Sequence, residues 1–233
     1  MNTRRIQAGR LELALHRLRA AEGPPLLLLH ALYGSGKDWT DNLAAWPGPV
    51  FALDFSGHGE SQWLAGGGYY PELFAADADQ AASEIGARHV VGTGLGAYVA
   101  LLLAGGRPDD IDAALLLPGV GLGGLRTLPD FEGIVARTDE DLAALQAPRH
   151  DQTGTDPMVR MAEHDIRPVD YTSSFAGRAR RLLLARGDAP TPPWWAAVGG
   201  LPAVTEIDNT PDMVGLAARE FAPAALPTGQ TQG

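Results

Sequence analysis

The sequence predicts an α/β protein built on a mostly parallel sheet, and three observations carry that reading. Short, wholly apolar runs such as Leu26-Leu27-Leu28-Leu29 and Ala113-Ala114-Leu115-Leu116-Leu117 have the length and composition of strands buried on both faces. They alternate with helix-length segments, as parallel strands require, because each must be followed by a crossover. The stretch His89 to Leu103 reads as strand, turn and helix in direct succession: Val90 and Val91 suit a buried strand, Gly92, Gly94 and Gly96 permit a sharp turn, and Ala97 to Leu103 holds strong helix formers.

In chain order, Arg4 to Leu18 alternates apolar and polar residues as two antiparallel edge strands do. Leu26 to His30 is a central strand that runs into the loop Ala31-Leu32-Tyr33-Gly34-Ser35-Gly36-Lys37. Asp38 to Trp46 predicts a short helix closed by Pro47-Gly48-Pro49, and Val50 to Asp54 the next strand. Phe74 to Ile85 predicts an alanine-rich helix whose Asp77, Asp79 and Glu84 form a solvated face. After the strand Asp112 to Pro118 the alternation lapses from about Gly119 to Gly177, which predicts a small, mainly helical insertion over the sheet. It resumes with the strand Arg181 to Asp188, a short helix near Trp194 and Trp195, a strand Ala203 to Ile207 and a helix Met213 to Phe221. The expected layout is a core of 1–120 and 177–226, an insertion at 121–176 and a loose tail at 227–233.

Of 233 residues, 45% are hydrophobic, enough to fill a sizeable core. A net charge of −10 argues against nucleic acid and anionic membrane as partners. The absence of cysteine removes thiolate catalysis and cysteine metal sites. No run has membrane-spanning length and the arginine-studded start does not read as a signal peptide, so the expected location is cytoplasmic. Oligomeric state is left open.

Three motifs resemble the α/β-hydrolase superfamily in order and spacing. The strand ending at His30 matches that family's His-Gly turn, Asp54-Phe55-Ser56-Gly57-His58-Gly59-Glu60-Ser61 its Asp-x-x-Gly-His-Gly-x-Ser turn, and Gly92-Thr93-Gly94-Leu95-Gly96 its nucleophile elbow Gly-x-Ser-x-Gly. The resemblance implies the α/β-hydrolase fold: a mostly parallel eight-stranded sheet, helices on both faces and a lid after the sixth strand. It also implies places for a Ser-His-acid triad, because nucleophile, acid and histidine loops converge at one edge of the sheet. Gly94 stands at the nucleophile position, Asp188 in the acid loop and Asn209 where the histidine is expected, and no histidine follows His164. A serine without its histidine is unactivated, and a histidine without its serine has nothing to deprotonate. What the resemblance leaves is an oxyanion hole made by the backbone N–H groups of Leu32 and Leu95, with His30 at the pocket floor.

Other signals carry less. Gly92-x-Gly94-x-x-Ala97 fits a dinucleotide fingerprint, but the confirming acid should end the next strand, where Leu117-Pro118 stands. Gly34-Ser35-Gly36-Lys37 hints at a phosphate loop, with Ala31 in place of its first glycine and Asp38 in place of Ser/Thr. His58 reads as shaping its turn, and His150 and His164 as solvated insertion residues. No spacing suggests a metal, and no cofactor is expected. The sequence therefore predicts an α/β-hydrolase-like protein with a dismantled triad that binds a small apolar or carbonyl-containing ligand. Two alternatives stand: an atypical hydrolase or lyase using the oxyanion amides with Asp188 or an insertion histidine, and a structural or interaction protein with a filled pocket.

Overall fold

In the computed structural model, residues 2–39, 42–64, 68–124, 154–163, 165–187 and 191–221 are described. Eight strands form one sheet: β1 (Asn2–Ala8), β2 (Leu11–Arg19), β3 (Leu26–Leu29), β4 (Val50–Leu53), β5 (His89–Thr93), β6 (Ala113–Leu117), β7 (Leu182–Arg186) and β8 (Val204–Asp208). Their order is β1-β2-β4-β3-β5-β6-β7-β8. The pairs β1–β2 and β2–β4 are antiparallel and every later pair is parallel. Strands β3 and β6 are buried along their whole length because helices cover both faces, which is why they read as unbroken leucine and alanine runs.

The helices are α1 (Pro71–Ile85), α2 (Leu95–Gly106), α3 (Val169–Ala176), α4 (Pro193–Gly199) and α5 (Met213–Phe221). Two apolar layers result. One, facing α1, α2 and α4, gathers Leu27, Leu29, Phe74, Val90, Val99, Leu103, Leu116 and Trp194; the other, facing α5, gathers Leu28, Trp46, Val91, Leu115, Leu183 and Val214. Alternate residues of the central strands go to opposite layers, as the pleat dictates.

Three expectations need correction. Asp77, expected on a solvated helix face, is buried and accepts from the Ser56 N–H at 2.9 Å. The helix predicted over Asp38 to Trp46 is two 3₁₀ turns, Gly36–Asp38 and Leu43–Ala45. Ser35 caps the first, accepting from the Lys37 N–H, and Asp38 accepts from the Ser35 N–H, so the apparent phosphate loop is a capping box. The described parts of 121–176 are also not simply laid over the sheet. Val159 and Ala162, from the 3₁₀ segment Pro157–Glu163, and Ala176 of α3 belong to the main core. Helix α3 also packs so closely on α2 that a Cβ at Gly105 would stand 2.2 Å from the Phe175 carbonyl oxygen. The charged piece at 138–145, His150, His164, Asp188 and the tail lie outside the described residues.

Candidate functional site: a filled oxyanion hole

Strand β5 ends at Thr93, Gly94 makes the turn at φ 57° and ψ −119°, and α2 begins at Leu95. A side-chain-bearing residue in such a conformation stores about 1–3 kcal/mol of strain, which glycine avoids. On the neighbouring strand β3 the chain leaves the sheet through His30, Ala31 and Leu32. The Gly96 N–H donates to the His30 carbonyl at 3.1 Å, which ties this loop to the first turn of α2.

The amides of Leu32 and Leu95 do converge, and both donate to a single acceptor, the Val120 carbonyl oxygen, at 3.2 and 2.9 Å. Both donors expected to face a ligand thus have an acceptor within the chain itself. A net contribution of about 0.5–1.5 kcal/mol is typical for each such bond. Val120 belongs to the segment Gly119–Gly124, which follows β6 and folds back over the elbow. Its approach demands glycine on both sides. A Cβ at Gly119 would stand 2.7 Å from Thr93 Oγ1, one at Gly121 2.5 Å from Leu32 Cβ, and one at Gly94 2.1 Å from the Val120 oxygen itself.

Three side chains hold this segment from outside. Thr93 Oγ1 donates to the Pro118 carbonyl at 3.2 Å, Trp194 Nε1 to the Leu122 carbonyl at 3.3 Å, and the Arg167 guanidinium to the Gly121 carbonyl. Arg167 is buried, lies 4.7 Å above the Tyr98 ring and also donates to the Ala162 carbonyl at 3.2 Å. Burial lowers its pKa to about 10, which leaves it charged at neutral pH. Sequence reading missed Val120, Arg167 and Trp194 in these roles. The available signal was Gly119-x-Gly121-x-Gly123-Gly124 directly after a strand adjacent to the elbow.

His30 and His58 lie beneath this site and are buried. His30 Nδ1 donates to its neighbour's Ala31 carbonyl at 2.7 Å while Nε2 accepts from the Phe55 N–H at 3.2 Å. His58 Nδ1 donates to the Ser56 carbonyl at 3.2 Å and Nε2 accepts from the Tyr33 N–H at 3.4 Å, steadying Tyr33 at a φ of 66°. Both rings are thus neutral, each with a fixed tautomer. Burial lowers both pKa values, His58 to about 3 with help from repulsion by His30. Asp54 organises the same turn, accepting from His16 Nε2 at 2.9 Å and from the Gly36 and Glu60 N–H groups at 2.6 and 2.7 Å.

The remaining candidates lie elsewhere. Asn209 lines a cleft of about 550 Å³ with Arg186, Gly187, Asp208, Thr210 and Pro211, at the ends of β7 and β8. A second cleft of about 500 Å³ runs along Gly119–Gly124 with Glu163, Thr191, Pro192 and Pro193, and among the described residues shares no lining residue with the first. Asp112 lies at the opposite end of the sheet, paired with Arg88 at 2.6 Å, so it serves no dinucleotide.

Comparison with known proteins agrees with the topology. A hydrolase from Pseudomonas aeruginosa superposes with a TM-score of 0.70 at 18% identity, covering 96% of this chain and 99% of that one. The fold is that of the α/β-hydrolases. In sequence, the chain is 32% identical to an esterase from Mycobacterium tuberculosis over 116 residues, 48% of this chain and 38% of that protein. It is 32% identical to a lipase from the same organism over 151 residues, 60% of this chain and 56% of that one. The chain thus spans from about two fifths to just over half of the length of these relatives. No family model matches it. Among the described residues no helix is long and apolar enough to cross a membrane.

Proposed function

We propose that this α/β-hydrolase-fold protein performs no serine-hydrolase chemistry and is a binding protein whose ligand lies in the cleft along Gly119–Gly124. The observation that carries the reading is the Val120 carbonyl, bonded to both amides at an elbow with no side chain. An acyl-transfer site needs an oxygen nucleophile and donors free to receive the developing oxyanion. Gly94 supplies no oxygen, and Leu32 and Leu95 already have an acceptor. The same fact counts against an atypical enzyme that works through these amides with Asp188 or an insertion histidine. The adjoining cleft, about 500 Å³, is lined by glycines, prolines and Leu122 together with Thr191 and Glu163, and offers both apolar and polar contacts to a small carbonyl-bearing molecule.

The test is exposure of the purified protein to a fluorophosphonate probe and to a short activated ester. No covalent labelling and no burst of product are expected. Stoichiometric labelling at any serine overturns the reading.

A further inference from the structure

We propose that Arg167, assisted by Trp194, is a latch that holds Val120 in the oxyanion hole, and that releasing it frees the Leu32 and Leu95 amides for an external carbonyl or carboxylate. The proposal rests on the reading of the hole as closed from within and adds what keeps it closed.

Val120 is anchored through its carbonyl alone. The residue is 57% exposed, so little burial draws it down, and its carbonyl is the group that meets the two amides. The residues on either side are glycines, which restrain the backbone least. Restraint comes instead from the two residues that follow. Arg167 holds the Gly121 carbonyl and Trp194 holds the Leu122 carbonyl, whose side chain is itself buried in the core.

Arg167 is an expensive residue to place there. Its guanidinium is buried and directed at the two carbonyls of Gly121 and Ala162, and its Nε has no hydrogen-bond partner. Burying a charge is costly unless the site uses it. Here it clamps the glycine segment to the 3₁₀ turn at Pro157–Glu163, and the Tyr98 ring beneath fixes the angle of the fork. A neutral aliphatic side chain would pack as well against Tyr98 without fixing the position of Gly121. The latch therefore couples the segment ending β6 to the one preceding α3.

Amide hydrogen exchange by NMR on the full chain tests this, with the Leu32 and Leu95 amides as reporters and Val91 and Leu115 as core controls. In the unmodified protein both reporters are expected to be protected. In Arg167→Met they are expected to exchange at least about tenfold faster with the controls unchanged, since local opening of a segment does not require global unfolding. Gly121→Ala, which drives a Cβ into Leu32 without touching Arg167, is expected to release the same two amides. Loss of protection in Gly121→Ala but not in Arg167→Met overturns the latch while leaving the filled hole intact. Loss in neither shows that Val120 does not protect these amides, and overturns both. If Arg167→Met fails to fold, Arg167→Lys carries the test: one ammonium replaces a fork that spans two carbonyls, and exchange at the unmodified rate overturns the latch.

Discussion

Gly94 and Val120 are fitted to each other: a Cβ on residue 94 would stand 2.1 Å from the Val120 carbonyl oxygen, far inside contact distance. The bare turn at Gly94 and the Val120 carbonyl seated on the Leu32 and Leu95 amides are therefore one structural fact. Either a side chain occupies position 94 or Val120 occupies the hole. Restoring a serine does not simply add a hydroxyl to an empty site.

Gly94→Ser is accordingly expected to cost more than the strain of its backbone conformation. That strain and the loss of two hydrogen bonds together predict a destabilisation of about 2–6 kcal/mol in denaturant unfolding. Esterase activity should stay at background, because His30 and His58 already have both ring nitrogens engaged and neither is free to activate the hydroxyl. A change within about 0.5 kcal/mol would mean that the segment yields without loss, and that the fit is loose.

Adding Asn209→His to Gly94→Ser is expected to give no gain in ester hydrolysis. Position 209 follows β8, three strands from β5, a separation of about 14 Å at ordinary strand spacing. Only residues 209–212 separate β8 from α5, too few to reach back to the elbow and return. Asn209 opens instead into the cleft it shares with Arg186 and Thr210. A rate for the double variant clearly above that of the serine variant would place residue 209 at the elbow after all.

Much of this was legible in the sequence, for identifiable reasons. Strands buried on both faces leave apolar runs, so β3, β4, β6 and β7 could be read directly, and α5 lies at its expected bounds, Met213–Phe221. Residues 38–46 were misread because a capping box at Ser35 opens a single 3₁₀ turn as readily as a full helix. At the site, the positions of Gly94, Leu32 and Leu95 follow from local turn chemistry. Their occupant does not. Val120 reaches them through tertiary packing, and a valine between glycines carries no mark of what its carbonyl will meet. Arg167 was hidden for the same reason: a lone arginine reads as surface, and its burial depends on Tyr98, about seventy positions earlier in the chain.

Stability is expected to fall as the pH is lowered from 7 towards 4. His58 has its pKa lowered to about 3, and His30 is lowered too, both by burial first. The unfolded chain therefore takes up protons below about pH 6.5 that the folded one refuses, and stability present above that value is lost through the window down to about 3. Asp54 acts in the same direction at lower pH: burial pushes it up, but the bonds from His16, Glu60 and Gly36 bring it below the usual range. Asp77 opposes them. Burial raises it to about 6, so the folded state is favoured below about pH 4 and loses that contribution as the pH rises through 6. Urea midpoints measured from pH 7.5 to 4.5 should decline. Asp77→Asn, which keeps an acceptor for the Ser56 N–H, should steepen the decline and be relatively more stable than the parent at pH 7.5 than at 4.5. A flat profile in the parent would show that the two histidines are not held neutral.

The sharpest check on the shared fit is a double-mutant cycle between Gly94→Ser and Gly121→Ala. Each is expected to expel Val120 by a different collision, one with the carbonyl oxygen and the other through Leu32. Once the first has displaced the carbonyl, the second has no hydrogen bonds left to break, so the double variant should be less destabilised than the sum by about 1–2 kcal/mol. Gly9→Ala supplies the control. Its φ is 58° and a Cβ there meets nothing within 4 Å, so it reports backbone strain alone, and with Gly94→Ser it should add to within about 0.5 kcal/mol. If Gly94→Ser and Gly121→Ala add as fully as that control pair, the two glycines do not serve a common contact, and the Val120 carbonyl is not what links them.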